Sequence, residues 1–194
     1  ITSSAASDVY KRQMIASIGC CVGMSTPQVH IIPLCIDQGL SIITGGKILS
    51  IMLFCAVLSR IMFGYISDII GPLKTLLIGS TLQMITLILF IPFNTLSGLY
   101  VVSILFGLSQ GGIVPSYALI VKKYLPNKDA AERIGLIIFF TIIGMSIGGW
   151  MAGKIYDYTN SYTLGFLNSI LWNLLNVIIL IYLFVSFKRY KVLI

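Results

Sequence analysis

Six long apolar runs are the feature that most limits what this chain can fold into. A run of about 20 residues can cross roughly 30 Å of hydrocarbon as an α-helix, at ~1.5 Å per residue. Only 10% of the residues are charged, whereas soluble domains carry about 25%. We therefore predict an all-α membrane protein with six transmembrane helices, at residues 14–36, 42–65, 73–91, 99–121, 134–156 and 164–187.

The first 13 residues, "ITSSAASDVYKRQ", are polar and differ sharply from the apolar run after them. They resemble translated adaptor sequence, and a native cytoplasmic linker is the alternative, so we set residues 1–13 apart from the fold. We expect residues 14–91 to form a first three-helix repeat. Residues 92–194 are expected to form a second repeat and a cytoplasmic tail. Either origin of the first segment predicts that the chain is a fragment.

The positive charge is concentrated in alternate loops and at the termini. Ten of the thirteen cations are expected on one side of the membrane: Lys11, Arg12, Lys74, Lys122, Lys123, Lys128, Arg133, Lys188, Arg189 and Lys191. By the positive-inside rule, both termini are cytoplasmic. This distribution explains the net charge of +7 by membrane topology and not by nucleic-acid binding. The expected location is a plasma membrane or a bacterial inner membrane.

The residue types argue against metal and enzyme chemistry. The four cysteines all lie in apolar runs without the paired spacing of a zinc site, which favours packing roles. A membrane-embedded enzyme would need clustered His, Glu or Asp, and this chain has one histidine and six scattered acids. We therefore expect no cofactor, no metal and no catalytic residues. The sequence also lacks the Gly-x4-Gly-Lys-Ser/Thr pattern of an ATP-driven motor.

Two glycine patterns recur at almost constant offsets. Gly-x3-Gly-x3-Pro occurs in the first and fourth runs, 88 residues apart, at Gly19, Gly23, Pro27 and at Gly107, Gly111, Pro115. Gly-x3-Asp marks the ends of the second and fifth runs, 89 residues apart, at Gly64, Asp68 and at Gly153, Asp157. Three helices per repeat is an odd number, so successive repeats enter the membrane from opposite sides. The pattern therefore predicts an inverted repeat, which is a common plan of secondary transporters.

The matched glycines and prolines, together with further small residues, are candidates for close helix packing and gating. The fifth run carries two glycine pairs four residues apart, at Gly144, Gly148 and at Gly149, Gly153. Glycines at this spacing let two helix backbones approach each other closely. Pro27 and Pro115 each remove an intrahelical hydrogen bond and favour a kink. Both features are compatible with gating by bending and with static packing.

The stretch "SRIMFGYISDIIGPLK" resembles the major facilitator superfamily. These transporters have two six-helix halves, with a cytoplasmic loop of pattern Gly-x3-Asp-basic-x-Gly-basic-basic. Gly64, Asp68, Gly71 and Lys74 match it in part: Ile69 replaces the first basic residue, and Pro72 and Leu73 replace the residues after Gly71. The resemblance implies a cytoplasmic latch at these positions. It also implies that the six spans are helices seven to twelve, so a missing N-terminal half is the expected partner.

"QVHIIPLCIDQGLS" followed by "SRIMFG" resembles the C-terminal half of the monocarboxylate transporter and oxalate/formate antiporter group. The resemblance implies that Arg60 binds a substrate carboxylate. Ala56 stands where monocarboxylate members carry an aspartate, and "FFTIIGMSIGG" lacks the lysine of the oxalate exchanger. The implied function is secondary transport of a small organic anion, with a monocarboxylate favoured. Alternatives are another solute class or a structural six-helix protein.

Five polar residues within the spans are candidates for the transport pathway. Arg60 lies about five residues, roughly 7.5 Å, from the predicted cytoplasmic end of its helix. It could bind substrate, reach the interface by snorkelling, or pair with Asp68. The guanidinium suits a carboxylate because its planar fork gives two parallel hydrogen bonds. His30 could contact a substrate or a coupling proton, or make an interhelical hydrogen bond, and the further substrate candidates are Gln28, Gln110 and Tyr117.

Overall fold

The computed structural model describes residues 3–93, 95–124 and 129–189, with side chains from Asp8 to Phe187 within those ranges. Within them the chain forms α1 (Ser3–Asp37), α2 (Ile42–Ile70), α3 (Pro72–Leu89), α4 (Leu96–Gln110), α5 (Ile113–Tyr124), α6 (Ala130–Thr159) and α7 (Tyr162–Arg189). Taking α4 and α5 together, six helices are long and apolar enough to cross a membrane. The predicted all-α fold with six spans is confirmed.

Several element bounds differ from the predicted ones. α1 begins at Ser3, so it continues into the segment that we set apart, and Gln13 is fully buried there. The origin of residues 1–13 stays a prediction. α2 continues to Ile70, five residues beyond its predicted end. Among the predicted cytoplasmic cations, Lys128 and Lys191 lie outside the described residues, as do the side chains of Lys188 and Arg189.

Glycines mark three close helix pairs. A Cβ on Gly107 or Gly111 would overlap the carbonyl oxygens of Met52 and Ala56 on α2. Gly144 and Gly148 approach the α1 backbone at Ile18 and Val22 in the same way, whereas Gly19 and Gly23 approach α7 at Trp172 and Ser169. In the first two pairs the residue numbers rise together, so the helices run parallel. In the third pair they run in opposite directions, and all three directions agree with a chain that crosses the membrane alternately.

The matched glycines of the two predicted repeats face different neighbours. Gly19 and Gly23, in the first span, pack on the sixth span, whereas Gly107 and Gly111, in the fourth span, pack on the second. If the two repeats were related by inversion, the first span would correspond to the fourth and the sixth span to the third. The glycines of the fourth span would then pack on the third span and not on the second. The packing of these glycines therefore does not follow the sequence match, and the inverted repeat stays a prediction.

The other predicted packing residues have looser surroundings. Gly149 and Gly153 lie against the side chains of Val29 and His30, at ordinary contact distances from where a Cβ would stand. α1 continues through Pro27 without interruption. α6 does not end at Asp157: it continues to Thr159, and Asn160, at φ 49°, caps it in the left-handed conformation.

The fourth span is interrupted near its middle. α4 ends at Gln110 and α5 begins at Ile113, with Gly111 and Gly112 in a turn between them. Pro115 has no amide hydrogen, so the carbonyl of Gly111 cannot receive its usual helical hydrogen bond. The predicted single helix over residues 99–121 is therefore two segments. The break occurs where the glycines contact α2 most closely.

Candidate functional site

One flank of α2 carries the polar residues predicted for the site and the latch. Arg60, Gly64 and Asp68 are all exposed, and their spacing of four residues puts them on one side of the helix. Near the C-terminal end of α2, a cavity of about 380 Å³ is lined by Ser67, Asp68, Pro72, Leu119, Lys122 and Lys123. The end of this flank therefore meets exposed residues of α5, two of them lysines, at one cavity.

Arg60 lies farther from the end of its helix than the sequence suggests. Because α2 ends at Ile70, Arg60 is ten residues, or ~15 Å, from the C-terminal end of the helix. Met52 lies beside Gly107, and Ala56, four residues later, lies beside Gly111. Continuing this register by four more residues places Arg60 at the level of Pro115.

Arg60 has no acidic partner among the described residues. The ion pairs found there join Arg133 to Asp129 and Lys154 to Asp157, each at 3.7 Å. An Arg60–Asp68 pair is therefore not formed in this conformation. An exposed intramembrane guanidinium without a counter-charge is costly unless water or an anion reaches it. Its placement on the α2 flank is compatible with both.

The latch residues surround the sharp turn between α2 and α3. The amide of Gly71 donates to the carbonyl of Ser67 at 2.9 Å and closes α2, and Pro72 starts α3. Gly71 has φ 90°, a conformation that favours glycine, and Lys123 Nζ would lie 3.5 Å from a Cβ there. Lys74 is exposed beyond the turn. The turn thus presents Asp68 to the same cavity as Lys122 and Lys123.

Two predicted substrate contacts bond to each other. Gln28 Nε2 on α1 donates to Gln110 Oε1 on α4 at 2.6 Å, close to the break in the fourth span. Gln110 is 4% exposed, and its Nε2 has no hydrogen-bond partner among the described residues. Gln28 is only partly buried. The pair joins α1 to α4 and leaves one buried amide donor free for a ligand or a water.

Tyr117 lies inside the bundle. Its side chain is fully buried, and its hydroxyl donates to Asn176 Oδ1 on α7 at 2.7 Å. Asn176 in turn donates to Asn173, and Asn173 donates to the carbonyl of Ser80 on α3 at 3.1 Å. A substrate contact by Tyr117 would require this chain of hydrogen bonds to open.

His30 sits where α1, α6 and α7 meet. Its Nε2 is 2.9 Å from the carbonyl of Gly149, which can only accept, so this nitrogen carries the hydrogen. Its ring centroid is 5.7 Å from that of Tyr162. The interhelical hydrogen bond, which is one of the two predicted roles, is therefore formed. In the neutral ring, Nδ1 then carries no hydrogen and can accept a hydrogen bond.

A second contact fixes the same end of α1. Tyr156 on α6 donates a hydrogen bond to Asp37 Oδ2 at 2.5 Å, and its ring stacks on Tyr162 at 4.3 Å. His30, Tyr162, Tyr156 and Asp37 thus form one cluster at the C-terminal ends of α1 and α6 and the start of α7. The predicted topology places this cluster on the outer side of the membrane.

Sequence reasoning missed several buried polar residues. Gln83 on α3 donates to the carbonyl of Cys20 at 3.1 Å and accepts from the Cys20 thiol. Ser59, which precedes Arg60 in the sequence, donates to the carbonyl of Leu108 at 2.6 Å. Amide side chains within long apolar runs were a visible signal for Gln83, Asn173 and Asn176. Nothing in the sequence distinguished Ser59 from the other serines.

Comparison with known proteins agrees with the sequence resemblance. A rat protein, Monocarboxylate transporter 13, is 23% identical over 86% of this chain and 39% of its own length. Rat Monocarboxylate transporter 10 is 29% identical over 55% of this chain and 21% of its own length. An MFS-type transporter of Penicillium oxalicum, opdF, is 26% identical over 71% of this chain and 34% of its own length.

The chain spans 39% or less of the length of these three relatives. The family model of the Major Facilitator Superfamily matches residues 14–192, which is nearly the whole chain apart from the polar first segment. The six spans, the parallel and antiparallel helix pairs and this match lead to one assignment. The chain belongs to the Major Facilitator Superfamily.

Proposed function

We propose that this chain is the C-terminal half of a secondary transporter that moves a small organic anion, favouring a monocarboxylate, by alternating access. The depth of Arg60 carries the proposal. A guanidinium ten residues inside α2, exposed on a flank and without a described acidic partner, offers a bidentate site for a carboxylate. The names of two relatives, which are monocarboxylate transporters, support the substrate class.

The charges near Arg60 support a monoanion over a dianion. Along α2, the other cation, Lys47, is thirteen residues away, about 20 Å along the axis. Lys122 and Lys123 line the cavity at the cytoplasmic end, near Asp68 rather than Arg60. A second carboxylate beside Arg60 would therefore need a cation from the N-terminal half, which is the expected partner of this chain. Ala56 also offers no proton carrier one turn before Arg60. A coupling proton would have to use another residue, such as His30.

The test is carboxylate uptake in a full-length transporter that carries these helices. Arg60→Lys keeps the charge but removes the planar fork, so we expect at least a tenfold loss of uptake per molecule at the membrane, about 1.4 kcal/mol. Lys47→Arg is the matched control, because it exchanges the same two side chains near the other end of α2. Normal uptake by Arg60→Lys at normal membrane expression would remove Arg60 from the site.

A further inference from the structure

Helix α2 packs directly against the break in the fourth span. Gly111 and Gly112 have no room for a side chain, because a Cβ on either would overlap Ala56, Ser59 or Phe63 of α2. The carbonyl of Leu108, whose usual donor would be the amide of Gly112, accepts the hydroxyl of Ser59 at 2.6 Å. The Ser59 hydroxyl of α2 thus donates a hydrogen bond to a carbonyl of α4 at the place where the helix is interrupted.

Ser59 is fully buried, and Arg60 next to it is exposed. Neighbouring residues on a helix point about 100° apart. A bond that fixes Ser59 on α4 therefore fixes the rotation of α2 about its own axis. The direction in which Arg60 points depends on that rotation, because turning α2 by the angle of one residue would turn the whole flank that carries Arg60, Gly64 and Asp68 to another side of the bundle.

We propose that Ser59 is a positioning residue for Arg60: its hydrogen bond to the Leu108 carbonyl, at the break in the fourth span, orients α2 so that the exposed guanidinium faces the path of the transported anion. The inference rests on the proposed function, in which Arg60 binds the anion. Ser59 itself touches no substrate. It connects the anion site on α2 to the one point where the fourth span departs from a regular helix.

Ser109 is a matched control. It is also a buried serine beside the break, 2% exposed, but its hydroxyl donates to the carbonyl of Phe106 in its own helix at 2.8 Å. Removing either hydroxyl deletes one hydrogen bond to a backbone carbonyl of α4. Only the Ser59 hydroxyl joins two helices, so only its loss can change the orientation of α2.

The first measurement is the kinetics of carboxylate uptake in the full-length transporter. For Ser59→Ala we expect the apparent KM for the anion to rise about threefold, the size of an average interhelical hydrogen bond in a membrane protein. The maximal rate per molecule at the membrane should change less. Ser59→Thr keeps a hydroxyl and should keep the KM near the wild-type value. Ser59→Val, which has the shape of threonine without the hydroxyl, should raise the KM as Ser59→Ala does. Ser109→Ala should leave both values near wild type.

The second measurement does not need transport. A cysteine at position 60, in a background with Cys55→Ala, is labelled by a water-soluble thiol reagent, and the rate is compared with and without Ser59→Ala. The other cysteines of this chain, Cys20, Cys21 and Cys35, are buried. We expect the added substitution to change the labelling rate about threefold or more, while Ser109→Ala does not.

The two measurements separate the inference from the proposed function. A changed labelling rate together with anion uptake that does not depend on Arg60 would uphold the positioning role and reject the proposed substrate site. Uptake that depends on Arg60, with KM and labelling rate unchanged in Ser59→Ala and Ser59→Val, would overturn the positioning role. If Ser59→Ala does not reach the membrane, the comparison of Ser59→Thr with Ser59→Val decides the question.

Discussion

Gln28 on α1 donates a hydrogen bond to Gln110 on α4 across 2.6 Å, at the break in the fourth span. The bond joins the most buried span of the bundle to the span that is interrupted. An amide pair in this position can serve packing and substrate recognition at once, because Gln110 keeps a buried donor without a described partner.

Replacing one member of this pair should cost more than replacing both. Gln28→Leu leaves the buried Gln110 amide without its partner, and we expect a loss of about 1–3 kcal/mol in the free energy of unfolding. The double variant Gln28→Leu with Gln110→Leu should recover part of that loss. Thermal unfolding of the purified protein in detergent measures the cycle. Additive single effects would contradict a direct interaction.

Gly111→Ala should separate α2 from α4. The added methyl would overlap the carbonyl of Ala56, and we expect overpacking to cost about 1–3 kcal/mol. Gly135→Ala is the control, because nothing lies within 4 Å of its Cβ position and alanine is the better helix former by about 1 kcal/mol. Thermal unfolding should therefore shift in opposite directions. Equal shifts would mean that the Gly111 contact does not hold the two helices together.

His30→Gln tests the proton role of this histidine. Glutamine can still donate to the carbonyl of Gly149, so we expect near-normal stability and membrane expression. It cannot take a proton, so uptake should lose the part of its pH dependence that is due to proton coupling. Initial uptake rates measured as a function of pH provide the test. An unchanged pH profile would leave His30 with its interhelical hydrogen bond alone.

Asp68→Asn tests the cytoplasmic latch. Asp68 is exposed, so the substitution should change the free energy of unfolding by no more than about 0.5 kcal/mol. If its charge holds the cytoplasmic side closed, a single cysteine at Leu119, which lines the same cavity, should be labelled faster from that side. Asp157→Asn, at an exposed acid paired with Lys154 on α6, is the control. The same labelling rate in both variants and in the wild type would reject the latch.

The glycines show how far a local pattern reaches and where packing takes over. The constant spacing of Gly19, Gly23, Gly107 and Gly111 predicted close helix contacts, and all four provide them. Their partners could not be inferred, because a small residue permits close approach without specifying which helix approaches. Only the packed bundle shows that two of them face α7 and two face α2.

Hydropathy determined the solvent and the number of spans of this protein, because the backbone of each apolar run must form its own hydrogen bonds inside the bilayer. The distribution of positive charge determined the expected orientation. The motif around Asp68 indicated the family, because it is a pattern of neighbouring residues that can be read without the tertiary structure. The depth of Arg60, the partners of Tyr117 and His30, and the bond from Ser59 to Leu108 were decided by tertiary structure. These features depend on where a helix ends and which neighbour it meets. Contacts between residues 49 to 119 positions apart do not appear in any local pattern.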